Sequence, residues 1–109
     1  MSRAKGNIAE DRACEFLLES GFNIVERNFY SRFGEIDIIA VKNSVLHFVE
    51  VKSGVDYELA IQNITKSKIS KLLKTGDVYM KKSAYSGDFE YDAIIVTPDE
   101  VLHVENITI

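Results

Sequence analysis

The chain has 109 residues, 46% of them hydrophobic and 28% charged, with one proline and one cysteine. Those values describe one globular domain, residues 1–109, long enough to bury a core without staples, and Cys14 alone excludes an internal disulfide or a cysteine-rich zinc site. No apolar run nears the roughly 20 residues of a bilayer span and the first residues lack a signal-peptide core, so the sequence predicts a cytoplasmic protein with no membrane partner.

The net charge of −4 argues against the basic footprint usual in nucleic-acid-binding proteins. Its distribution weakens that objection. Six of the 17 acids follow residue 86, where no Lys or Arg stands, so the chain before that point carries a slight positive excess.

The first predicted helix spans Asn7 to Glu19 and stops at Gly21. Its apolar stripe is Ala9, Ala13, Phe16 and Leu17. Glu10 leads the series Glu10, Ala13, Cys14, Leu17, which has the i, i+3, i+4, i+7 spacing of one helix face. A carboxylate on that side needs a partner or a cation; alternatively it edges the stripe and favours the positive end of the helix dipole. Cys14 reads as a buried, inert thiol.

A strand from Phe22 to Phe29 follows, and Tyr30 to Gly34 connects it onward. Arg27 and Arg32 are candidates for phosphate contacts, although surface arginines are common and solvation is the more frequent role for either one alone. Next come Gly34 to Ala40 and Val45 to Lys52, two runs rich in Ile, Val and Phe around Asn43-Ser44, which reads as a β-hairpin. A two- or four-residue loop sets Asp37 opposite Glu50, and strand alternation puts Lys52 on the same face. Two carboxylates about 5 Å apart repel by roughly 3 kcal/mol at an effective dielectric of about 20, more than a favourable cross-strand pair returns. A divalent cation would turn that repulsion into attraction, and hard oxygen ligands suit Mg²⁺ or Mn²⁺. The plain alternative is a solvated outer face with the pair splayed apart.

A long helix is predicted from Glu58 to Lys81, with a core stripe of Ile69, Leu72, Leu73, Gly76 and Met80 and a wet face of Lys66, Lys71 and Lys74. Lys68 sits beside the stripe. Such a lysine-rich helix is either a solvated face or one built to lie along phosphates. Phe89 to Val96 reads as a central strand and Val101 to Val104 as an edge strand. His47 and His103 fall in strands and receive no role. The order α-β-β-β-α-β-β predicts an α/β fold, a mixed sheet of about five strands flanked by helices.

At Arg27-Asn28, Gly34-Glu35-Ile36-Asp37-Ile38-Ile39-Ala40 and Phe48-Val49-Glu50-Val51-Lys52 the sequence resembles the YraN-like family of small bacterial proteins. These in turn look like Holliday-junction resolvases of the restriction-endonuclease-like PD-(D/E)XK superfamily. The match takes in Gly6-x-x-x-Glu10, Gly21-Phe22, and Lys68 with Leu72 and Tyr79. What it implies is a restriction-endonuclease-like domain that cuts DNA, in branched or single-stranded form, with a divalent metal and no small-molecule cofactor. Asp37, Glu50, the Val51 carbonyl and Glu10 match the metal shell. Lys52 matches the lysine that orients the attacking water and steadies charge on the phosphate, and Lys68 matches a phosphate contact. A resolvase-like activity further implies a homodimer, since a four-way junction offers two equivalent cuts. The segment after Lys52 departs from the family in lacking a basic residue. A non-catalytic module that binds nucleic acid or protein on the same fold is the alternative.

Overall fold

The computed structural model describes residues 5–108. Helix α1 (Lys5–Glu19) is followed by strands β1 (Asn23–Ser31), β2 (Gly34–Lys42) and β3 (Val45–Ser53), helices α2 (Tyr57–Gln62) and α3 (Lys66–Lys82), and strands β4 (Asp88–Val96) and β5 (Val101–Val104). The five strands form one sheet in the order β1-β2-β3-β4-β5. Every neighbouring pair is antiparallel except β3 and β4, which are parallel and joined through α2 and α3. This is the mixed, helix-flanked sheet that the sequence predicts, with one of its helices divided in two.

The hairpin register comes from its turn. Asn43 and Ser44 both hold positive φ, 51° and 65°, as a tight two-residue hairpin turn requires, and Lys42 therefore pairs with Val45. Strands β2, β3 and β4 are buried on both faces because helices cover both. Ile38, Ala40, Val49 and Ile94 pack beneath α1, while Ile39, Phe48 and Tyr91 pack beneath Leu72 of α3. Helix α1 ends where Phe22 N–H bonds back to the Leu17 carbonyl at 2.9 Å and Gly21 turns to φ +92°, a glycine stop of the expected kind. Cys14 is buried, which pushes its thiol pKa up.

The predicted helix from Glu58 to Lys81 is not continuous. Asp56 caps α2 by accepting the Leu59 N–H at 2.9 Å, and Thr65 caps α3 by accepting the Lys68 N–H at 3.2 Å. Asn63, Ile64 and Thr65 are weak helix formers, and a Thr that can cap favours a fresh start. Leu73, expected in the core, is 38% exposed, and Thr75 is buried in its stead. Gly76 does not end α3, which continues to Lys82, and the Tyr91 ring occupies the space a Cβ at Gly76 would need. Among the described residues no helix is long and apolar enough to cross a membrane.

Candidate functional site

The β2–β3 ladder ends at Ile38 and Val49. The next step of the same register would oppose Asp37 and Glu50, but the strands part there. Asp37 fills the gap with its side chain: Oδ2 accepts the Val51 N–H at 2.8 Å, taking the place of a main-chain carbonyl. Asp37 is consequently buried, with 9% of its surface exposed, and Glu50 is half-buried beside it.

Burial pushes the Asp37 carboxyl up to about 8, and the charge of Glu50 pushes it the same way against the pull of the Val51 N–H. Glu50 is also raised by burial, a rise moderated by its hydrogen bond with Asp37 and by the positive charges of Lys68 and Lys52. The two acids therefore titrate as a unit, sharing a proton that neither would hold alone in water.

Lys52 lies on β3 two residues beyond Glu50, and Lys68 on the first turn of α3. Their ammonium groups meet. Lys68 is held below the usual lysine range first by the close approach of Lys52, a like charge, while Glu50 and Asp37 draw it back up. An open cleft of about 220 Å³ runs between the parted strands and α3, lined by Glu35, Asp37, Glu50, Lys68, Lys71 and Leu72 among others.

Glu10 approaches from the other layer. It is 8% exposed on α1, and its charge reaches Asp37 and raises it. Its partner is Arg27, whose Nη2 lies 3.4 Å from Glu10 Oε1 and 2.9 Å from Asp11 Oδ1. Of the two readings of Glu10, the core-side carboxylate with a partner is the one observed. Arg27 thus sits between two carboxylates, whereas Arg32 is exposed and covers the Phe33 ring at 4.8 Å, with Lys74 also near that ring at 5.7 Å. Asp37, Glu50, Lys52 and Lys68 come together; Glu10 and Arg27 form a pair behind them, and Arg32 stands apart on the β1–β2 turn.

One participant, Glu35, carries no role in the sequence reading, and another, Lys71, is there only part of a lysine-rich helix face. Glu35 shares the strand face of Asp37, lines the cleft and raises both Asp37 and the hydroxyl of Tyr30. Lys71 lines the cleft one helical turn beyond Lys68. The spacing of Glu35 from Asp37 (i, i+2 on a strand) and of Lys68 from Lys71 (i, i+3 on a helix) was the available signal.

The donor set fits a hard divalent cation: two carboxylates in one cleft, with the Val51 carbonyl on the same strand segment. Asp37, Glu50 and Val51 are the residues that would hold it.

The profile of the uncharacterised protein family UPF0102 matches residues 9–96, well over half of the chain. The chain is similar to a UPF0102 protein of Sulfurimonas denitrificans, 72% identical over 109 residues and spanning 100% of both chains. It is similar also to one of Aliarcobacter butzleri, 50% identical over 99% of each chain, and to one of Helicobacter pylori, 53% identical over 97% of this chain and 92% of the relative. The chain belongs to the UPF0102 family.

Proposed function

We propose that this protein is a metal-dependent endonuclease of the restriction-endonuclease-like PD-(D/E)XK kind, hydrolysing phosphodiester bonds of DNA. The observation that carries the reading is the convergence of Asp37 and Glu50 in one cleft with Lys52 and Lys68 at its edge. Sheet stability gives no reason to bury two acids together, since an uncompensated buried charge is expensive. Phosphodiester hydrolysis does give one. The cation supplies Lewis-acid polarisation of the phosphate and activation of water. Asp37, held by the Val51 N–H, and Glu50 would fix its position. Lys52 would orient the attacking water and steady the charge developing on the phosphate oxygens. Lys68 and Lys71, on the flank of α3 that faces the cleft, would hold neighbouring phosphates.

Two measurements test this reading. Titration with Mg²⁺ or Mn²⁺ raises the thermal midpoint of the wild type, and Asp37→Ala, still folded, loses the response; equal responses in both would remove the metal site. Duplex, single-stranded, flap and four-way DNA are then incubated with wild type and Lys52→Ala. Cutting by wild type alone supports the nuclease. Binding without cutting by either assigns the fold to a non-catalytic nucleic-acid module.

A further inference from the structure

A second group of metal-ligating side chains lies on the opposite face of the sheet, toward the β2–β3 turn. His47, Asp92 and His103 come from the adjacent strands β3, β4 and β5. Asp92 alternates with Ile94 and His103 is in register with Ile94, so both lie on the α1 side. Phe22 packs edge-on against both imidazoles, with ring centroids 4.9 and 5.7 Å away.

One oxygen of Asp92 is the focus. Oδ2 lies 2.6 Å from His47 Nδ1 and 2.8 Å from His103 Nε2, while Oδ1 accepts the Asn106 N–H at 3.0 Å. Glu105 brings another carboxylate to the same point. One donor atom from each of His47, Asp92, His103 and Glu105 lies within 4.8 Å of all the others. Glu90, two residues before Asp92 on the same strand face, adds a third carboxylate. Its Oε2 is closed off from solvent, 3.5 Å from His47 Nδ1, and makes no hydrogen bond.

Hydrogen bonds from two imidazoles account for Asp92. They do not account for Glu90 and Glu105 converging on the same place. The group gathers around a point where Asp92 is 0% and His47 5% exposed. A wholly buried Asp92 with two imidazoles and two further carboxylates converging on it is an arrangement that a cation would satisfy.

We propose that His47, Asp92, His103 and Glu105 form a site for a zinc-class transition metal, with Glu90 as a neighbouring carboxylate. Two imidazole nitrogens and two carboxylate oxygens suit Zn²⁺ better than Mg²⁺, which prefers oxygen alone. Tetrahedral bonds of about 2.0–2.2 Å set neighbouring ligand atoms roughly 3.3 Å apart. The contacts to Asp92 need open by less than about 1 Å to reach that spacing. Four protein ligands leave no open position, so the role is structural. The metal would tie β3, β4 and β5 to the segment after β5, holding an edge strand of four residues. The site is independent of the Asp37–Glu50 cleft, being on the other sheet face and made of softer donors.

The test is native mass spectrometry of chelator-stripped protein titrated with Zn²⁺, with Co²⁺ absorption as a second readout, in an Asp37→Asn background that removes the other acid pair. One Zn²⁺ per chain is expected, together with the strong visible bands of tetrahedral cobalt. His103→Gln should weaken zinc binding roughly hundredfold, and Glu105→Gln, an exposed position where folding is safe, by about tenfold. Failure to take up stoichiometric zinc, affinity unchanged in both variants, or the weak bands of octahedral cobalt would each overturn the proposal.

Discussion

Asp37 reaches across the parted ends of β2 and β3 to take the Val51 N–H at 2.8 Å, and this brings its carboxylate against that of Glu50. A single hydrogen bond thus repairs the ladder and creates the electrostatic problem at the centre of the cleft. The bond favours the ionised form, but burial and the second acid outweigh it, so the folded protein without metal holds a proton there.

That proton makes stability depend on pH. Asp37 is raised from its ordinary 3.8 to about 8, so between those values the folded state binds a proton that the unfolded chain has released. Stability of the metal-free protein therefore falls as pH rises from about 4 to about 8. Asp37→Asn removes the share due to Asp37 and leaves the smaller ones of Glu50 and Glu90, whose carboxyls are also raised, and at pH 8 in chelator it is expected to exceed wild type by on the order of 2 kcal/mol. Urea midpoints measured across that range check this; parallel profiles for the two proteins would refute it.

Much of the cleft is legible in sequence because its parts are local. The turn at Asn43-Ser44 fixes a register, and strand alternation carries that register from Lys42–Val45 to Asp37 and Glu50 without further information. The helix break is less legible. Thr65 is a recognisable cap, but Ile61, Ile64 and Ile69 continue an apolar pattern across it, and only the folded chain decides between cap and continuation. The His47–Asp92–His103 group is not legible at all. His47 and Asp92 are 45 residues apart and meet only because β3 and β4 pair in parallel. Arg27 likewise finds Glu10 and Asp11 only through the packing of α1 on the sheet.

Gly76 gives a prediction in which intrinsic preference and packing oppose each other. Alanine would gain about 1 kcal/mol of helix propensity inside α3. Its Cβ, however, would overlap the hydroxyl and ring of buried Tyr91, whose hydroxyl donates to the Leu73 carbonyl at 3.3 Å. Overpacking of that kind costs about 1–3 kcal/mol, and a ring locked between β4 and α3 has little room to yield. Gly76→Ala is expected to lower the urea midpoint; a rise would show that propensity wins.

The basic flank of α3 gives the last prediction. Lys68 and Lys71 recur one turn apart beside the cleft, and Lys74 follows at the same interval near Arg32 and Phe33. If this flank lies along DNA, each lysine neutralises a phosphate and releases condensed counterions, a contribution blind to base sequence. Lys71→Ala should then weaken binding of unrelated DNA sequences by similar factors. It should also reduce the slope of log affinity against log salt by about 0.9 for duplex or about 0.7 for single strands. The slopes come from fluorescence anisotropy at several salt concentrations, in Ca²⁺ to hold the acids without rapid cutting. Lys82, also on α3 but over the Phe29 ring at 5.9 Å and outside the cleft lining, is the control. A slope unchanged by Lys71→Ala, or lowered equally by Lys82→Ala, would move the phosphate path off this flank.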